Sequence, residues 1–212
     1  MNTVALLSST YFGPVQWYQK LCRYPQVLVE QHDSFQKQTY RNRCIIAAAN
    51  GPQALTVPVV HSSEFIVHSS EFRVQSSEFI SDHGNWRHQH WQAISSAYGD
   101  SPFFMYYEDD LRPFFTERWE TLYDYNEAIR QKMCELLDIH PCVSLTDHYL
   151  KPTEVSGADD YRESIRPKHP LPDATFVPRR YYQVYEHRHG FLPNLSILDL
   201  LLNMGPESIF YL

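Results

Sequence analysis

Residues 4–31 read VALLSSTYFGPVQWYQKLCRYPQVLVEQ. Val4 to Leu7 is a short apolar run, and Gly13-Pro14 stands just before VQWYQKLCRY. Proline is at home in the first turn of a helix, because its φ is already helical and its missing N–H has no partner to lose. QVLVEQ then returns to β-branched residues and predicts a second strand. Strand, helix, strand at this length predicts a βαβ unit with parallel strands, and with it an α/β fold.

The rest of the chain extends that frame. In QTYRNRCIIAAANGPQALTVPVV, residues 38–60, two β-prone runs flank Asn50-Gly51-Pro52 and predict a hairpin. NWRHQHWQAISSAYG, residues 85–99, predicts a helix between Asn85 and Gly99. TERWETLYDYNEAIRQKMCELLDI, residues 116–139, predicts a longer one capped by Thr116 and closed by His140-Pro141. Glu108-Asp109-Asp110 reads as a solvated turn, and the five prolines between 150 and 180 predict a long irregular loop. YYQVYEHRHGF reads as a strand, and SILDLLLNMG as a final helix with Ser196 and Asp199 at capping-box spacing and Gly205 as its stop. The expectation is one mixed α/β domain over residues 1–212, with an N-terminal βαβ unit, a β-hairpin and a helical C-terminal half.

At 212 residues one domain with a sizeable core is the simplest reading. The net charge of -7 argues against coating nucleic acid or a membrane surface, which requires positive fields. No charged leader and no apolar run near membrane-spanning length occurs, so the reading is cytoplasmic, without membrane insertion. With only 7 glycines and no P-loop, Rossmann, G-x-S-x-G or H-E-x-x-H pattern, no cofactor is expected. Cys22, Cys44, Cys134 and Cys142 lack C-x-x-C spacing and read as thiols. His187-Arg188-His189 has no third ligand at a recognisable spacing, so no metal is expected either.

Residues 61–81, HSSEFIVHSSEFRVQSSEFIS, are three near-copies of one unit. Paired serines and β-branched residues suit a coiled coil poorly, and in one continuous strand an odd period would turn successive Phe residues to opposite faces. The stretch reads as a repeat-expanded loop.

Chemistry concentrates in QHDSFQKQTYRNR, residues 31–43. An extended Lys37–Arg43 would set Lys37, Thr39, Arg41 and Arg43 on one face, an anion grip for phosphate or carboxylate, or else a charged face that protects an edge strand. His32-Asp33 lies where the second strand ends, the end at which parallel sheets collect ligands, so either side chain could serve as a general base; Asp33 as a turn cap is the alternative. Trp86 and His90 share a helical stripe, which suits a core histidine as well as a catalytic one.

TYFGPVQWYQKL, EQHDSFQKQTYRNRCII, LTVPV, ISDHGNWRHQHWQAISSAYGDSPFFMYYEDDL and NLSILDLLLNMGP together resemble the WbqC-like family of bacteria. The likeness is strongest to Bacteroidetes members, which carry an HD pair where many others carry two acidic residues. That difference favours Asp33 over His32. The resemblance implies a link to O-antigen and other surface polysaccharides, with glycine transfer suggested for members. The family pattern covers Tyr11, Pro14, Asp33, Lys37, Tyr40, Asn42, Arg43, Trp86 and His90. It also places the last copy, SSEFIS, on a short strand, so the two earlier copies read as a tandem expansion.

The expectation is therefore a transferase acting on a sugar nucleotide or an activated acyl donor. Asp33, His32 or His90 would be catalytic, and Tyr11, Lys37, Tyr40, Arg41, Asn42, Arg43 and Trp86 would bind substrate. The competing reading is a non-catalytic module that binds a sugar nucleotide or a pathway enzyme.

Overall fold

A computed structural model describes residues 3–33, 38–61 and 78–212. In chain order the elements are β1 (Val4–Ser8), α1 (Val15–Arg23), β2 (Gln26–Glu30), β3 (Arg43–Ala48), β4 (Gly51–Thr56), β5 (Val59–His61) and β6 (Glu78–Ile80). There follow α2 (Trp86–Tyr98), α3 (Phe104–Leu111), α4 (Pro113–Thr116), α5 (Leu122–Leu136), β7 (Val143–Leu145), β8 (Ala158–Asp160), α6 (Glu186–His189) and α7 (Ile197–Met204), and a 3-10 segment, Gly205–Tyr211.

The βαβ unit forms as its sequence dictates, β1 and β2 pairing in parallel with Val4 opposite Gln26 and Ser8 opposite Glu30. Two short strands extend the sheet to the order β7-β2-β1-β8, all parallel. Ala5, Leu6 and Leu7 are fully buried, as a central strand covered on both faces requires. Helix α1 is unusual in burying every residue from Val15 to Leu21, including Gln16, Gln19 and Lys20. Part of its cover comes from far along the chain: Gln16 Nε2 donates to Asp173 at 2.8 Å, and Lys20 Nζ lies 2.6 Å from the same carboxylate. The proline-rich segment thus roofs α1, and β8, which lies within it, corrects the expectation of an irregular loop.

β3 and β4 form the expected hairpin, with Gly51 at φ 112 in its turn. The strand begins only at Arg43, however. Gln38 has φ 65, and residues 38–42 turn rather than extend. The basic ladder is therefore not a ladder: with no period of two before Arg43, Thr39, Arg41 and Arg43 do not share a strand face, and Lys37 lies outside the described residues.

Four further expectations are corrected, the last in part. The long helix starts after Thr121, whose Oγ1 accepts from Asp124 N at 3.1 Å; Thr116 instead ends α4, its hydroxyl donating back to Arg112 O. The helix also stops at Leu136, ahead of His140, with Asp138 left-handed at φ 52. Glu108, Asp109 and Asp110 are helical, within α3. YYQVYEHRHGF forms no strand, because Tyr181 and Gln183 turn inward to hydrogen-bond Asp199, and α6 with Gly190 at φ 71 follows. In α7 the Ser196 hydroxyl does cap, accepting from Leu198 N at 3.3 Å, while Asp199 points into the core rather than back to the cap.

β5 pairs antiparallel with β6, Val59 opposite Ile80 and His61 opposite Glu78. The third copy of the repeat thus contributes a strand, and the first two fall mostly within residues 62–77, outside the described ones. Deleting residues 61–74 would bring Gln75 opposite Glu78 with Ser76-Ser77 as a two-residue turn. We predict that this variant folds with a loss of about 1 kcal/mol, since two-residue turns favour Gly or Asn over Ser. Circular dichroism melting tests it, and an insoluble product would count against it.

Candidate functional site

Because β2, β1 and β8 are parallel neighbours, they end on the same side of the sheet, at Glu30, Ser8 and Asp160. The chain passes from β1 to β2 on one flank and reaches β8 on the other, and in open α/β sheets ligands bind where the order diverges in this way. A crevice lies there. Ser8, Ser9 and Thr10 line it from the end of β1, Asp33 from beyond β2, Thr39 to Arg41 from the turn, and Tyr161 to Glu163 with Ile165 and Arg166 from beyond β8. It encloses about 20 Å³, room for a water-sized group.

Ion pairs fix its walls. Arg162, 9% exposed, donates through Nη2 to Asp160 at 2.7 Å and through Nη1 towards Glu30 at 3.5 Å. Glu30, buried at the end of β2, also accepts from Thr146 Oγ1 at 2.8 Å, His32 N at 2.8 Å and Leu150 N at 3.0 Å. Arg41 Nη2 lies 3.0 Å from Glu78, and Arg166 pairs with Glu163. Asp33 has no such pair among the described residues. Burial raises its carboxyl above the ordinary value of 3.8; Arg41 and Arg162 oppose the rise, and Glu30 and Glu163 add to it. A half-buried carboxylate made more basic is what proton abstraction near neutral pH calls for.

Two hydrogen-bond donors on crevice residues, Thr10 Oγ1 and Arg166 Nε, are buried with no partner among the described residues. An unmet buried donor costs about 1–3 kcal/mol; Thr10 Oγ1 is packed against Gly13, which leaves Arg166 Nε as the donor for an oxygen atom placed in the crevice.

Of the residues singled out from sequence, the structure brings Asp33, Tyr40 and Arg41 together here. Burial pushes the Tyr40 phenol up to about 12, so it is a neutral hydroxyl at pH 7. His32 stands beside the crevice, its Nε2 3.0 Å from Thr146 O. Asn42 clips to Val57, donating from Nδ2 to its carbonyl at 2.8 Å, and Arg43 reaches across the hairpin to Thr56 Oγ1 at 3.1 Å. Tyr11, Trp86 and His90 form a separate core cluster. The Tyr11 hydroxyl is 2.9 Å from His90 Nδ1, and Trp86 meets the imidazole edge-on. Burial lowers the His90 pKa to about 4, and a backbone hydrogen bond with Thr56 offsets only part of this. His90 is thus a hydrogen-bonded histidine packed among core rings, and it does not line the crevice.

Sequence reasoning missed Thr10, Glu30, Arg162 and Arg166. Glu30 sat unremarked beside the His32-Asp33 pair, and the two arginines follow β8, a strand hidden among prolines. The signal available was Asp160-x-Arg162, the spacing that sets acid and guanidinium on one side of an extended chain. Among the described residues, no group of three or more His, Cys, Asp and Glu side chains is placed to hold a metal ion. Nor is any described helix long and apolar enough to cross a membrane.

The chain is 24% identical over 236 residues to Uncharacterized protein Rv1507c of Mycobacterium tuberculosis, covering 100% of this chain and 98% of that protein. No solved structure matches it. The WbqC-like protein family matches residues 9–211, from just after β1 through the last 3-10 segment, so β2, β7, β8 and all of the crevice lining except Leu7 and Ser8 fall within the matched region: the chain belongs to the WbqC-like protein family.

Proposed function

We propose that the crevice is the active site of a cytoplasmic transferase of bacterial surface-polysaccharide (O-antigen) biosynthesis. It would move an acyl or aminoacyl group, such as glycine, from an activated donor onto the amine of an amino sugar or sugar nucleotide. The observation that carries this reading is Asp33, a half-buried carboxylate of raised basicity at the carboxyl end of a parallel sheet. In the proposed step Asp33 takes a proton from the acceptor ammonium, and the freed amine attacks the acyl carbonyl. The resulting oxyanion is met by the Arg166 Nε–H, and it collapses with loss of the donor's leaving group, which carries away the second proton of the acceptor nitrogen. Tyr40 orients the acceptor, and Arg41 holds a substrate anion.

A space of about 20 Å³ takes in a reacting oxygen but not a whole sugar. The small volume also favours the second reading, a non-catalytic module that binds a pathway partner at the outer surface. One experiment separates the two. Native mass spectrometry of the purified protein identifies any retained small molecule, which then serves as substrate for wild type and Asp33→Asn. A turnover lower by about 10²- to 10⁴-fold, with ligand still bound, is expected. Unchanged transfer by soluble Asp33→Asn would sink the catalytic reading, and ligand binding with no turnover in wild type would favour the module.

A further inference from the structure

The glutamate of the third repeat copy is almost wholly buried, at 2% exposure, and its carboxylate lies 3.0 Å from Arg41 Nη2. Burying a charge is costly, and such a pair seldom adds stability over an apolar pair of the same size. Its use has to be sought in what it holds. β6 presents Glu78 and Ile80 to the interior while Phe79 is half-buried, the alternation of a strand. β6 is also clamped on both edges: β5 pairs along one, and Ile80 N donates to Glu120 O at 2.9 Å on the other. Glu78 is accordingly a fixed point.

Arg41 is fixed by its backbone. Asn126 Nδ2 donates to its carbonyl at 2.8 Å, Tyr11 N donates to the preceding carbonyl at 2.9 Å, and Asn42 on the other side is clipped to Val57. With the main chain held, the ion pair to Glu78 helps set where the guanidinium lies; Arg41 lines the crevice together with Asp33, and its charge acts on that carboxyl. We infer that Glu78 is a positioning residue, acting through Arg41 on Asp33, so that the last unit of the repeat is a working part of the site. The inference rests on the crevice being the site, but its test needs no turnover and can fail or succeed on its own.

The charged groups that act on Asp33 are Arg41, Arg162, Glu30 and Glu163. Glu78 should reach it only by way of the first. The experiment is a carbon-detected NMR titration of the Asp33 carboxyl in the full chain. Glu78→Gln removes the charge that occupies Arg41, and the Asp33 pKa is expected to fall by about one unit, the effect of an opposite charge close by. In an Arg41→Met background, where Asp33 alone should titrate higher than in wild type, the same substitution is expected to leave it unmoved. Glu78→Asp keeps the charge but withdraws it by one methylene, and it should also shift Asp33 if position matters. It carries the test should Glu78→Gln not fold. Glu64→Gln with Glu71→Gln, the corresponding residues of the other two copies, should change nothing. An Asp33 pKa unaltered by either Glu78 substitution, or altered equally with and without Arg41, overturns the inference.

Discussion

Asp173→Ala is expected to lower stability by about 3–5 kcal/mol, the effect of leaving one member of a buried ion pair alone. The side chains of Lys20 and Asp173 are 1% and 4% exposed and lie 2.6 Å apart. Lys20 Nζ also meets Thr175 Oγ1 at 2.5 Å and sits over the Tyr161 ring at 4.2 Å. Without Asp173 an ammonium group stays inside α1's cover with only a hydroxyl and a ring for company. Replacing both partners, Lys20→Met with Asp173→Leu, should recover most of the loss, because it removes both buried charges together. Urea denaturation measures both variants, and a loss below about 1 kcal/mol for Asp173→Ala would mean that water reaches Lys20.

The pair also fixes a pH dependence. Burial alone would raise the Asp173 carboxyl, but hydrogen bonds from Lys20, Gln16 and Thr175 outweigh it and hold it below the ordinary 3.8. A carboxyl depressed in the folded state stabilises above its unfolded pKa and loses that contribution as pH falls through the folded one. Acid unfolding of the wild type should therefore steepen below 3.8, and the double variant should lack this steepening.

Asp199→Ala is the second large effect, expected at about 3–5 kcal/mol from the loss of several buried hydrogen bonds to one carboxylate. Asp199 is fully buried on α7 and accepts from Tyr98 at 3.0 Å, Tyr181 at 2.7 Å and Gln183 at 2.8 Å. Tyr98 in turn accepts from Ala47 N at 3.2 Å, so a single carboxylate ties α7 to α2, β3 and the 181–183 segment. Here the pH effect has the opposite sign. Burial raises the Asp199 pKa to about 6, and the hydrogen bonds only limit the rise. A carboxyl raised in the folded state contributes stability that is complete below its unfolded pKa and is lost as pH rises through the folded one. Between pH 4 and 6 the group should therefore remove about 3 kcal/mol as pH rises, at 1.36 kcal/mol per unit. Asp199→Asn should flatten that slope in a series of denaturation curves at stepped pH. An unchanged slope would mean that Asp199 stays ionised throughout.

Much of the fold could be read from local pattern because it is locally encoded. The βαβ unit, the hairpin at Asn50-Gly51, α2 and α7 each carry their own periodicity, turn or cap. What could not be read was set at long range. β8 is Ala-Asp-Asp, with no β-branched residue, and it is a strand only because β1 offers Leu6 O to Tyr161 N at 3.0 Å. Missing β8 meant missing Arg162 and Arg166, the far wall of the crevice. The ladder failed for the opposite reason: the alternation of Lys37 to Arg43 is real in the sequence, but Gln38 adopts φ 65, a conformation that composition does not announce for a non-glycine residue. Asp33 needed neither, since the end of β2 was already fixed by the βαβ pattern.

The register of β5 against β6 carries a consequence for inheritance. His61 and Glu78 face each other as partners across a strand pair, so everything between them enters and leaves the fold at neighbouring points. Adding or losing one whole unit there moves neither anchor and keeps a glutamate in register for Arg41. A change of copy number at this place should therefore have little effect on the folded protein, while a change at Glu78 of the third unit should be felt at Arg41.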